Sequence, residues 1–342
     1  MRVIGPMARP MLALLAFGFS APPSAADPIA DFYQGKTMHV VIGYGPGGGY
    51  DIYGRLAAEF LGRHIPGKPT IIPQNMPGAG SFKAVEYLYG AAPQDGTYLG
   101  SVAQTIAMDA VTDEKNKLDI TRLKYVGRFV NNIDVGFSLP QSGIKSIEDL
   151  RQQEAIAGTS GGGSTSVVYP LALNAYAGTK IKLVRGYEGT AEIQLALERG
   201  EVQINPAYGL PGMLGAHPEW IKEGKVNILY QNALTRDPMI PNVPAMPELG
   251  LTDQGKTILR VIAGTAEIGR SILTTPGTPP ERLAALRTAF QTMLKDPDFI
   301  AAAAKRNLML VAGTGEAMDA VNAETMRLPK PTVDALRVLL KE

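Results

Sequence analysis

Cysteine is absent from this sequence, which excludes disulfides, thiol catalysis and cysteine-held zinc. Histidine occurs only at His39, His64 and His217, with no HExxH or HxH spacing. A histidine-built metal site or a triad hydrolase is therefore not expected, and nothing in the chain asks for a cofactor. An excess of one sign of charge is also missing, because 33 basic residues face 32 acidic ones. A nucleic-acid partner would want a basic face, so none is expected. No continuous apolar run beyond the first residues is long enough for a membrane helix. What the chain has in quantity is glycine, 38 residues, and proline, 26 residues. They sit at discrete turn positions, the mark of many short connections and not of disorder. A length of 342 residues allows two cores.

The first 26 residues read as a targeting segment. Arg2 and Arg9 form a positive start without acids, and Met11 to Phe19 is an apolar stretch too short to span a bilayer. Ser24-Ala25-Ala26 supplies the small residues of a cleavage site. The expectation is export with cleavage after Ala26, which would leave 31 basic residues against 32 acidic ones.

Strand and helix patterns then alternate. Strands are expected at 37–43, 70–74 and 97–101, with helices at 51–63 and after an N-cap at Ser81. This βαβαβ order predicts a parallel sheet with right-handed crossovers. The scheme repeats with a capping box at Ser146 and Asp149, a strand at 155–158, a helix from Ser164 to Ala177 closed by Gly178, and strands at 182–184 and 202–204 around a helix at 191–199. Thr278-Pro279-Pro280-Glu281 marks a helix start, and further helices are expected at 298–306, 315–327 and 332–341.

Two glycine-rich turns stand between a strand and a helix. Gly43-Tyr44-Gly45-Pro46-Gly47-Gly48-Gly49 comes first, and Thr159-Ser160-Gly161-Gly162-Gly163-Ser164-Thr165 follows about a hundred residues later. Turns of this kind present unpaired N–H groups at a helix N-terminus and suit an anion. The first fits G-x-G-x-x-G, but Gln74 and Asn75 stand where a dinucleotide fold wants an acid, and Pro46 removes a donor. No lysine follows the glycines, so a P-loop is not supported either. Pro77-Gly78-Ala79-Gly80-Ser81 is a third such turn. Each turn alone could be purely structural; their number favours binding. Valine at Gly48 or Gly163 is expected to block close backbone approach or a positive φ. Asp51 either takes a ligand donor or caps its own helix.

The residues together resemble a family. Asp31-Phe32-Tyr33-Gln34-Gly35-Lys36, Pro46-Gly47-Gly48-Gly49-Tyr50-Asp51, Asn75-Met76-Pro77-Gly78-Ala79-Gly80-Ser81 and Ala92 to Gly100 resemble the extracytoplasmic solute receptors of tripartite tricarboxylate transporters, the Bug receptors. Gly277 to Leu283 and Asp296-Pro297-Asp298-Phe299 fit the same family. The resemblance covers essentially the whole mature chain. It implies an α/β, two-lobed periplasmic-binding-protein type 2 fold with mostly parallel sheets, a hinge and an interlobe cleft. Residues 27–128 and 232–342 would form lobe 1, and 129–231 lobe 2. The ligand would be a small organic carboxylate, delivered to a two-subunit membrane permease, and the receptor is expected to be a periplasmic monomer without catalytic residues. By position, lobe 1 would contact the ligand near Tyr44, Gly47, Gly48, Gly49, Asp51, Gly78, Ala79 and Gln104. Lobe 2 would add Thr159, Ser160, Gly163, Ser164 and Thr165, with Tyr187, Asn205 and Tyr208 on two further cleft loops.

The chain departs from the family pattern at Tyr44-Gly45-Pro46, Met76 and Asn205-Pro206-Ala207-Tyr208. Tyr44, Tyr187 and Tyr208 offer either an aromatic pocket or packing beneath the loops. Arg128 and Arg185 are candidate partners for a carboxylate, but each is expected on a solvated face. An exported enzyme using the same cleft, or a ligand sensor for a signalling receptor, are the alternatives to transport.

Overall fold

The computed structural model describes Met1 and residues 27–113, 118–161 and 163–340. Residues 2–26, which carry the signal-peptide expectation, and Gly162 of the second glycine turn lie outside the described residues. Eleven strands form two sheets among the described residues. The strands are β1 (Thr37–Ile42), β2 (Thr70–Asn75), β3 (Tyr98–Ser101), β4 (Tyr125–Val130), β5 (Asp134–Ser138), β6 (Ala155–Thr159), β7 (Ile181–Arg185), β8 (Ile204–Gly209), β9 (Asn227–Asn232), β10 (Arg270–Thr274) and β11 (Gly313–Thr314).

The first sheet has the order β11-β4-β10-β3-β1-β2 and the second β7-β6-β8-β5-β9. β1 pairs parallel with β2 and β3, as the βαβαβ pattern predicts, and β10 and β11 join antiparallel. In the second sheet β6 is parallel to β7 and β8, whereas β5 is antiparallel to β8 and β9. Both sheets are therefore mixed. The chain passes from the first sheet to the second between Val130 and Asp134, and returns between Asn232 and Arg270.

Side chains alternate across the sheets, as a period of two requires. Met38, Val40 and Ile42 of β1 join one core with helix Gly49–Phe60 and helix Pro280–Met293, while Val41 joins the core on the opposite face. The second sheet is covered by helix Thr165–Ala177 on one face and helix Thr190–Glu198 on the other. Helices Asp253–Gly264 and Lys330–Leu340 also pack on this second core, through Ile258, Leu259, Ile262, Leu336 and Leu339. These two segments lie in the 232–342 stretch expected in lobe 1. Their apolar stripes are complementary to helix Thr165–Ala177, which is apolar on all sides and needs cover beyond its own sheet.

Local signals in the sequence formed as chemistry dictates at some points and were overridden at others. Ser146 and Asp149 make the reciprocal capping box, and Gly178 ends its helix at φ 72°. Ser81 does stand before helix Phe82–Glu86, but at φ 86° and without capping it. Its hydroxyl instead accepts from Ala103 N–H. Thr278 does not cap helix Pro280–Met293 either, since Pro279 takes that position and the Thr278 hydroxyl faces Thr275. Asn205-Pro206-Ala207-Tyr208, expected as a loop after a strand at 202–204, lies inside β8. Pro206 is accommodated by an irregularity opposite it, where the register between β5 and β8 shifts between Val135 and Phe137.

Candidate binding cleft between the two sheets

The turns that follow β1, β2, β6 and β7 all leave the C-terminal ends of parallel strands, where open α/β sheets gather their ligand loops. Those from the first sheet face those from the second. Together Gly43, Tyr44, Pro77 to Ser81, Ser160, Gly161 and Arg185 to Glu188 enclose a recess of about 330 Å³. A narrow slot of about 50 Å³, between Tyr44–Tyr50 and Glu188–Glu192, continues it along the seam. Beyond the slot lies a groove of about 370 Å³ that reaches Arg270 and Tyr208.

The recess wall from the first sheet has an unusual backbone. Gly78, Ala79, Gly80 and Ser81 have φ of 141°, 47°, 61° and 86°, four consecutive left-handed residues. Two of them are not glycine, and such residues cost roughly 1–2 kcal/mol each. Among the described residues, the N–H groups of Ala79 and Gly80 meet no protein acceptor. A turn that leaves successive N–H groups open is an anion-binding concavity.

Backbone meets backbone across the seam. A Cβ built on Gly80 would lie 2.6 Å from Ser164 N and 3.0 Å from Gly163 C. One built on Gly161 would lie 2.9 Å from Ala79 Cα. Thr105 Oγ1 donates to Gly163 O at 2.6 Å, and the Asp109 carboxylate sits where a side chain at Gly163 would go, with Oδ1 2.5 Å from that position. Burial raises the Asp109 pKa well above the ordinary carboxylate value; the Thr105 hydroxyl opposes this and Asp113 adds to it. Gly48 behaves otherwise than expected. Its φ is −84° and the nearest atoms to an added Cβ are 3.9 Å away. The positive φ of this loop belongs to Gly47, at 86°.

Behind the seam a buried polar network joins the two sheets. Tyr50 OH accepts from Gln104 N, and Gln104 Nε2 donates to Tyr169 OH at 3.1 Å. Tyr169 OH donates to Asp134 Oδ2 at 3.2 Å and accepts from Asn232 at 2.6 Å. Asn132 donates to Asp134 as well. The Arg270 guanidinium lies 3.9 Å over the Tyr50 ring and 3.7 Å from Asp134. Burial raises the Asp134 pKa, against the pull of Arg270 and the hydrogen bonds from Asn132 and Tyr169.

The residues expected from sequence divide among these features. Tyr44, Gly78, Ala79, Ser160 and Tyr187 line the recess, and Gly47, Gly48, Gly49 and Tyr208 line the groove. Asp51 caps its own loop. It is buried and accepts from Gly47 N, Arg55 and Asn75. Burial pushes its pKa up, but the three hydrogen-bond donors outweigh that and the net shift is downward. Gln104 belongs to the buried network, with Oε1 unpartnered among the described residues. Thr159 is fully buried and bonds Val184 O, and Ser164 bonds the Ser166 hydroxyl. Thr165 interacts with Asp134. Asn205 is fully buried in β8 with its oxygen on Ala207 N, and it lines none of the three cavities.

Tyr44 stacks on Tyr50 at 4.6 Å while still lining the recess, so packing and pocket wall are the same ring. Arg185 is exposed but borders the recess. Arg128 is buried and paired with Glu267 at 3.1 Å, not solvated. Sequence reading missed Thr105, Asp109, Asp134 and Arg270. Only the fold brings them to the seam, since no motif surrounds any of them.

Two α/β units with loops converging on a shared cleft have the architecture of a two-lobed solute receptor. The model of the tripartite tricarboxylate transporter family receptor matches residues 55–338, and the chain belongs to that family. The family consists of solute-binding receptors of transporters, not of enzymes. The UPF0065 protein in the gbd 5′ region of Cupriavidus necator is 25% identical over 338 residues, covering 95% of this chain and 94% of that one. Among solved structures, the periplasmic binding protein BugD superposes with a TM-score of 0.68 at 18% identity, covering 90% of this chain and 98% of that one. A Rhodopseudomonas palustris protein solved with adipate gives 0.67 at 18% identity, covering 90% and 97%. MatC from Rhodopseudomonas palustris, with bound malate, gives 0.65 at 20% identity, covering 89% and 99%. These likenesses establish the type 2 periplasmic-binding-protein fold.

Proposed function

We propose that this protein captures a small organic carboxylate in the recess between its two lobes and delivers it to a two-subunit tripartite tricarboxylate permease. One observation carries the reading: the left-handed run Gly78–Ser81 lines, together with Ser160 and Gly161, a recess of about 330 Å³. N–H groups and hydroxyls there can take a carboxylate without a buried cationic partner. The malate and adipate bound by structural relatives support a dicarboxylate of four to six carbons. Contacts from both sides of the seam favour the closed arrangement only if they are better there than in an open one, which is how a ligand would drive closure. In this reading residues 27–128 with most of 232–342 move against 129–231, and the exported chain begins at Asp27.

Calorimetric titration with malate, adipate, glucose and glucose 6-phosphate tests the proposal, together with native mass spectrometry of protein taken from cells. Saturable binding of a dicarboxylate is expected. Binding of the sugar or the phosphate ester alone would overturn it.

A further inference from the structure

We infer that the groove beyond the slot is a second, separate ligand site, built for an apolar monocarboxylic acid that carries a hydroxyl. It is independent of the recess, because other residues form it. Ile52, Tyr53, Leu195, Pro211 and Leu308 give it an apolar wall, and its volume of about 370 Å³ suits a ring or a short acyl chain.

Two buried polar groups border this wall. Arg270, 7% exposed, brings a guanidinium whose ion pair with Asp134 spans 3.7 Å. That is longer than a hydrogen bond, so Asp134 does not saturate the planar fork, which also meets Tyr50, and its remaining N–H groups can donate to a carboxylate. Asp134 is separately held by Asn132 and Tyr169. Its hydrogen bonds therefore come from neighbours such as these two residues and not from Arg270. Gln194, 8% exposed, donates its amide to Glu198 at 2.8 Å, while its Oε1 is buried without a partner among the described residues. A buried acceptor left open costs stability unless a donor arrives. Gln194 lines the groove, so a ligand hydroxyl becomes such a donor once the side chain turns its Oε1 towards it. Carboxylate to Arg270, hydroxyl to Gln194 and an apolar body between them describe a hydroxyaryl or hydroxyalkyl acid.

Gly212 supplies the test. It lies in helix Leu210–Ala216 on the groove, and an added Cβ first meets Tyr208 at 3.8 Å, an ordinary contact. Gly212→Leu should fill the groove and favour the helix. The probe is 4-hydroxybenzoate, titrated by calorimetry with and without saturating malate, with benzoate for comparison. We expect 4-hydroxybenzoate to bind the wild type in the presence of malate, benzoate to bind at least fivefold more weakly, and Gly212→Leu to lose at least tenfold. A double variant, Arg270→Gln with Asp134→Asn, keeps the buried pair neutral and should lose binding to the same extent with an unchanged circular dichroism spectrum. No binding to the wild type, competition by malate, or full binding by either folded variant would overturn the assignment, and equal binding of benzoate would remove Gln194 from it. Failure of malate to bind while 4-hydroxybenzoate does would refute the dicarboxylate reading of the recess and leave this one standing.

Discussion

Replacing Gly161 with alanine adds one methyl group to the seam and touches the core of neither lobe. The new Cβ would sit 2.9 Å from the Cα and carbonyl carbon of Ala79, and nearer still to the Gly80 nitrogen. Carbon atoms rest about 3.5–4.0 Å apart, so the two backbones must separate by about 1 Å. Neither can turn aside as a flexible side chain would. The Gly78–Ser81 run is already left-handed at every residue, and Gly161 follows directly on Ser160, whose N–H is tied to the Ser166 hydroxyl at 3.0 Å. Overpacking of this kind costs about 1–3 kcal/mol. Here the cost falls on the apposed arrangement of the lobes, so it should appear as a loss of affinity of roughly 5- to 150-fold. Gly48→Ala is the matched control, because it lies on the same cleft with 3.9 Å to its nearest neighbour. Calorimetry with malate or adipate, and small-angle scattering for the compactness of the bound form, give the readout. Wild-type affinity and compactness in Gly161→Ala would refute the claim that the two loops meet when ligand is held.

Three further outcomes follow from the same geometry. Asp51→Ala removes the acceptor of Gly47 N, Arg55 and Asn75 and should destabilise the first lobe by about 2 kcal/mol, read from urea unfolding. Since the Asp51 pKa is lowered on folding, its contribution is complete above the unfolded value of about 3.9 and fades as pH falls through the lower folded value; acid unfolding of Asp51→Ala that matches the wild type would contradict this. Asp109 has a raised folded pKa, so the folded state binds the extra proton and stability falls as pH rises from the unfolded value towards the folded one. Asp109→Asn should raise the melting temperature at pH 7 and flatten that slope, and a lower melting temperature would count against burial as the cause. Tyr169→Phe deletes the hydroxyl shared by Gln104, Asp134 and Asn232 and should cost about 1–3 kcal/mol. An unchanged denaturation midpoint would show that the network is not a cross-sheet tie.

Sequence by itself determined the elements that rest on local chemistry. The βαβαβ phrase of 37–101 became β1, β2 and β3 in parallel because its apolar alternation and its glycine turns agree. The capping box at Ser146, the helix 190–198 and the C-terminal helices were legible for the same reason. So was the position of the glycine turns that border the recess, since a glycine cluster between a strand and a helix is a property of the local chain.

Other features were decided only in three dimensions. Ser81 has the side chain of an N-cap, yet the approach of Ala103 and the left-handed run redirected its hydroxyl. Gly47 and Gly48 are indistinguishable in sequence, and only the course of the loop gave one of them the positive φ. Asp109, Asp134 and Arg270 lie far apart along the chain and outside any motif. They reach the seam because the chain crosses between the sheets after β4 and returns before β10. A charge acquires its partner, its burial and its pKa from neighbours distant in sequence, and periodicity carries no information about them.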